Sequence, residues 1–137
     1  MNKKSLLAIE RVITCINELT ILTKDKKAEY FFDSWTINAL IDLIYEVEDN
    51  LDKVSIKIKE KYPDIKWDII NKSKEYDKIF GESTDMNLGK VWLLASESLR
   101  KEILYDLEEV LNNELLDYYT ELCNNEHEKA IKEKALS

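Results

Sequence analysis

Seven apolar residues, Ile37, Leu40, Ile44, Val47, Leu51, Val54 and Ile58, follow one another at alternating steps of three and four. That spacing keeps side chains on one stripe of an α-helix. It is incompatible with a strand, whose side chains change face at every residue. A stripe of this kind reads as the seam of a packed helix pair. The rest of the chain offers little to interrupt helices, with only two Gly and one Pro in 137 residues. The expected fold is all-α, an up-and-down bundle of four to five helices.

A chain of this length suits a single domain over 1–137. It buries about two-thirds of the surface its unfolded form exposes, so no disulfide or metal staple is needed. Hydrophobic residues at 45% are too many for a disordered chain. Cys15 and Cys123 lie far apart without a CxxC spacing and read as thiols of a reducing compartment. No apolar run is long enough for a bilayer. The start, Met1-Asn2-Lys3-Lys4, lacks the apolar core of a signal peptide. A cytoplasmic protein with no membrane partner is expected.

The net charge is −8, and Arg11 and Arg100 are the only arginines. Such a chain does not steer itself broadly toward a polyanion, so RNA is the less favoured partner. Lys57, Lys59 and Lys61 stand among Asp52, Glu60 and Asp64 and read as a mixed solvated face. Arg100 is expected to pair with Glu97 or Glu102. The lone His127, flanked by Glu126 and Glu128, reads as an exposed helix residue. There is no Gly-rich phosphate loop, zinc spacing or Ser–His–Asp set, so neither cofactor nor metal is expected.

Along the chain, a first helix over 5–23 carries Leu6, Ile9, Ile13, Ile16 and Leu19, with Ser5 as its N-cap. The second, with the seam above, is closed by Pro63. Asp64 is expected to cap a third helix with Trp67, Ile70, Ser73, Tyr76 and Phe80 on one face, stopped at Gly81. A last run carries Leu88, Val91, Trp92, Ala95, Leu99, Ile103, Leu107 and Leu111. Asn112-Asn113 is a candidate break before an amphipathic stretch over 115–136.

The stretch Pro63, Asp64, Ile65, Trp67, Ile70 resembles the HepT-like branch of the HEPN family, small helical bundles known as ribonuclease toxins of bacterial toxin–antitoxin pairs. The resemblance runs from about 9 to 111, leaving 112–137 as a helical extension. Tyr30-Phe31-Phe32 followed by Asp33 is similar to the family's aromatic lead into helix two, where Asp49 keeps an acidic side chain in register. The family pattern continues with Arg-Asn, then His, then Tyr two residues later. This chain has Lys74 at the Arg, Glu75 at the Asn, Ile79 at the His and Gly81 at the Tyr.

The resemblance implies metal-independent RNA cleavage, in which the His assists the ribose hydroxyl and the Arg clamps the scissile phosphate. Ile79 cannot shuttle a proton. Lys74 keeps a charge but not the bidentate fork, and Glu75 adds a negative charge where a polyanion would dock. Read without the family, Lys74, Glu75 and Lys78 are a solvated helix face. The resemblance therefore implies a degenerate member that leans away from enzyme activity. It would act by binding, as a homodimer through helix two and the final helix, or with a small nucleotidyltransferase or an active relative. The alternative is a diverged ribonuclease in which Lys74 works with Glu75, Asp49 or His127. The AMP-accepting tyrosine of the family has no counterpart, because Gly81 fills its place.

Overall fold

The computed structural model describes residues 2–24, 34–70 and 88–136, and every regular element among them is helical. These are α1 (Lys3–Thr23), α2 (Ser34–Lys53), α3 (Ile56–Lys61), α4 (Leu88–Leu93) and α5 (Tyr105–Leu136). Two π-helical stretches, Leu94–Ser98 and Arg100–Leu104, join α4 to α5 in one rod. The motif positions Lys74, Glu75, Ile79 and Gly81 lie outside the described residues, as do Tyr30 to Asp33 and most of the expected third helix.

α1 and α2 pack antiparallel. The direction follows from two contacts: Ser55 N–H donates to Ser5 Oγ at 2.8 Å, and Arg11 pairs with Glu46 at 2.6 Å. As one chain number rises, its partner's falls. The expected seam is the buried face: Leu40, Ile44, Val47 and Leu51 of α2, Val54 just after it and Ile58 of α3 are all in the core, with Ile37 partly buried against it. Leu6, Ile9, Val12, Cys15, Ile16 and Leu19 of α1 oppose it.

The rod carrying α4 and α5 covers the same core with Val91, Ala95, Leu99, Ile103 and Leu107. Those five residues are spaced by four. In an α-helix of 3.6 residues per turn, each such step overshoots and the stripe drifts around the rod. A π-turn is wider and undershoots. Leu99 N–H reaching Leu94 O is one such wide turn. Alternating the two geometries holds the stripe on the core.

Several expectations are corrected. Asn2, not Ser5, caps α1: its side chain accepts from Ser5 N at 3.1 Å. The Ser5 hydroxyl is turned to α2 instead. The second helix does not run to Pro63. It ends at Lys53, and Ser55, in an extended conformation, caps the separate α3 by accepting from Ile58 N. With the Ser55 amide held by Ser5, the α2 ladder cannot continue through it. Pro63 does follow directly on the end of α3.

Asp64 begins no helix, because 62–70 runs as successive turns. Ile65 N reaches Tyr62 O, Trp67 N reaches Ile65 O and Ile69 N reaches Lys66 O. Trp67 and Trp92 pack against the core with only a minority of their surface exposed. Asn112-Asn113 neither breaks nor bends the chain out of α5. Ser5→Ala is expected to cost about 1 kcal/mol, because the part-buried Ser55 N–H loses its acceptor. Urea unfolding of the variant against the native chain measures it.

Candidate functional site

A concave site among the described residues lies where the Pro63 turn meets α5. It has a volume of about 270 Å³, and its walls are Lys61, Tyr62, Pro63, Asp64, Ile65, Asp106, Glu109, Val110 and Asn113. The turn is locked from within: Trp67 Nε1–H donates to Tyr62 O at 3.0 Å. It is tied to the rod by Lys66, whose ammonium meets Glu102, and by two bonds to Glu114. Tyr62 Oη donates to Glu114 Oε1 at 3.1 Å, and Lys61 Nζ reaches the same oxygen at 2.9 Å. Lys61 also faces Asp117 at 3.6 Å.

Burial, then the Glu114 contact, holds the Tyr62 hydroxyl above the usual tyrosine range. The Glu114 hydrogen bond likewise holds the Lys61 ammonium protonated to higher pH. Neither group is therefore a base near neutral pH. The remaining titratable walls, Asp64, Asp106 and Glu109, are acidic and repel phosphate. The cavity contains no His, Cys or Arg. Its described walls suit a neutral or cationic group better than an anion.

Arg100 stands at the opposite end of the bundle, on the π-helical stretch, in an open groove with Thr20, Thr23, Lys24, Trp92, Ser96 and Glu97. Its expected pairing does not form. Glu97 instead meets Lys101 at 3.7 Å, and Glu102 meets Lys66. Two cations beside a tryptophan suit an anionic ligand, but the hydroxyls are already committed. Thr20 donates to Ile16 O, Thr23 to Leu19 O and Ser96 to Trp92 O. No second donor is left on those side chains.

The other candidates separate. His127 is exposed on α5, and its relation to Lys74 lies outside the described residues. Asp49 is exposed, whereas its neighbour Glu48 is 2% exposed. Glu48 was not singled out from the sequence, yet Ile41, Ile44 and Glu48 share one helical face beside the seam, which is the signal for it. Tyr45 is held above its usual range by burial first, then by the charges of Glu48 and Asp42. Lys57 is exposed, while Lys61 is taken up by α5, so the lysine alternation is split between solvent and rod.

The two thiols differ sharply. Cys15 is fully buried, and its pKa is raised to about 12 by that burial and then by the Glu46 charge. Cys123 is exposed. A thiol reagent at pH 8 is expected to modify Cys123 alone in the native protein. Cys15 should follow only on unfolding, because the thiolate is the reactive form. Intact-mass measurement before and after denaturant reads this directly.

Among the described residues no group of His, Cys, Asp and Glu is placed to hold a metal ion, and no helix is long and apolar enough to cross a membrane. Compared with protein-family models, with curated proteins and with solved structures, the chain matches none of them.

Proposed function

We propose that this chain is a catalytically degenerate protein of the HEPN type that acts by binding another protein, within a toxin–antitoxin or defence-type pair. One structural observation carries the binding half of this reading. Past Tyr118, every described side chain of α5 through Ala135 is exposed. A helix of that length in water draws most of its stability from packing, and here the described residues supply no packing surface for it. Leu116, just before the overhang, and Tyr119, on it, are apolar groups at 66% and 59% exposure. The degenerate half rests on the sequence, where Ile79 and Lys74 replace the proton shuttle and the phosphate clamp.

A second reading, the diverged metal-independent ribonuclease, draws on Arg100 beside Lys24 and Trp92. It ranks below the first because that groove holds no imidazole, its one carboxylate, Glu97, faces Lys101, and its hydroxyls are committed to backbone carbonyls. The purified chain, incubated with a broad RNA panel without metal, is expected to leave the RNA intact. Affinity capture from the native cell is expected to recover a second copy, a small nucleotidyltransferase or an active relative. Cleavage that disappears in Lys74→Ala would reverse the ranking.

A further inference from the structure

We infer that the groove between the start of α1 and the end of α2 receives an acidic segment of a different protein, one that carries an apolar side chain among its carboxylates. The inference rests on the protein-binding reading above and names the chemistry of the partner. The groove has a volume of about 470 Å³ and is lined by Lys3, Lys4, Leu7, Ala8, Asn50 and Lys53. Steps of three and four put Lys3, Lys4, Leu7 and Ala8 on one face of α1, and Asn50 and Lys53 lie one turn apart on α2. No carboxylate is among the described residues that line it, although the chain as a whole carries −8.

Elsewhere on the bundle cations meet acids: Arg11 has Glu46, Lys61 has Glu114, Lys66 has Glu102 and Lys101 has Glu97. Lys3, Lys4 and Lys53 form no ion pair with another described residue. Lys3 and Lys4 also stand in the first turn of α1, which holds no acid. A cation there adds to the positive end of the helix dipole, an arrangement that an incoming carboxylate relieves. Between the lysines the groove is apolar. Leu7 is 56% exposed, although its neighbours Leu6 and Ala8 are buried. It offers apolar surface that its own bundle leaves uncovered.

These features select among anionic partners. Nucleic acid is gripped by guanidinium forks on phosphate and by aromatic rings on bases, and the described lining has neither Arg nor an aromatic side chain. A small inorganic anion would leave Leu7 in water. A peptide segment satisfies both parts, with carboxylates against the lysine rim and an apolar side chain over Leu7 and Ala8. A second copy is the poorer fit, because the exposed end of α5 carries Lys129, Lys132 and Lys134 beside its glutamates. Exposed ion pairs are individually weak and are screened by salt, so the contact is a salt-sensitive one.

The test titrates the full chain into a short fluorescein-labelled peptide of Glu residues interspersed with Leu, read by anisotropy. Three further probes run beside it: the same peptide with Gln for Glu, a single-stranded RNA of like length, and vesicles of phosphatidylcholine with phosphatidylserine. The acidic peptide should bind at one site per chain and weaken as salt is raised, while the Gln peptide should not bind. K3E/K4E/K53E and Leu7→Ser change only exposed side chains and should keep native helicity. The charge reversal should weaken binding at least about 10-fold, because like charges then oppose. Leu7→Ser should weaken it about 5-fold with the salt dependence kept. No binding, binding unchanged in K3E/K4E/K53E, or tighter binding of the RNA or the vesicles at the same lysines would each overturn the inference. A partner captured from the native cell that K3E/K4E/K53E still retains would also overturn it, and would leave the protein-binding reading standing through another face. RNA cleavage by the purified chain would sink that reading, whereas the peptide titration would still measure the groove.

Discussion

Leu40→Ala is expected to cost roughly 2–5 kcal/mol, the range for removing a leucine from a packed core that cannot collapse around the gap. Leu40 is 0% exposed. It belongs to the α2 seam, opposite a wall of α1 that includes the equally buried Ile16 and Leu19. Both walls are held in place at the far end by the Ser5–Ser55 bond and midway by Arg11–Glu46, so neither helix can slide to fill the cavity. A domain of this size has about 5–15 kcal/mol in all, so the variant loses a large share of it. Thermal unfolding followed by circular dichroism should fall by roughly 10 °C or more. A change of under about 1 kcal/mol would mean that the α1–α2 pair is not the core.

The second large effect divides α5 in two. Leu107 is 0% exposed, whereas Leu116, nine residues along the same helix, is 66% exposed. Leu107→Ala should again cost roughly 2–5 kcal/mol, and Leu116→Ala within about 0.5 kcal/mol in dilute monomer. The contrast is a property of tertiary placement, because both leucines sit in equally regular helix and have the same helix propensity. The boundary falls near Tyr118, where the bundle ends, and not at Asn112-Asn113, where composition suggests a break. Asparagine costs an exposed helix only a fraction of a kcal/mol. Packing at Val110 and Leu111, with Lys61 and Tyr62 held on Glu114, outweighs it. If Leu116→Ala destabilised as much as Leu107→Ala, the overhang would be packed on its own bundle.

The all-helical class and the α2 seam were legible in the sequence, because a stripe at steps of three and four has one structural solution and the breakers that would compete are scarce. Leu6, Ile9, Ile16 and Leu19 could be placed in the core by the same periodicity. The cavity beside Pro63 was barely legible: Pro63 marked the end of a helix, but Asp64 and Trp67 read as the start of another, and nothing pointed to the closure by Tyr62 and Lys61 on Glu114. That contact joins residues about fifty positions apart, and no local pattern encodes it.

What the sequence by itself determined is where helices form and which face of each is apolar, since both follow from local spacing and from backbone preference. Only the tertiary structure decided where those helices stop being covered. Ser5 reads as a cap locally, but as a partner for Ser55 it divides the second helix in two. Arg100 is three residues from Glu97 and two from Glu102, yet Lys101 and Lys66 take those carboxylates. The apolar stripe at steps of four in the last rod became a core face only through the π-turns that keep it aimed inward. Neighbouring elements compete for the same polar groups and the same buried surface. That competition is settled by three-dimensional proximity, which periodicity along one helix does not contain.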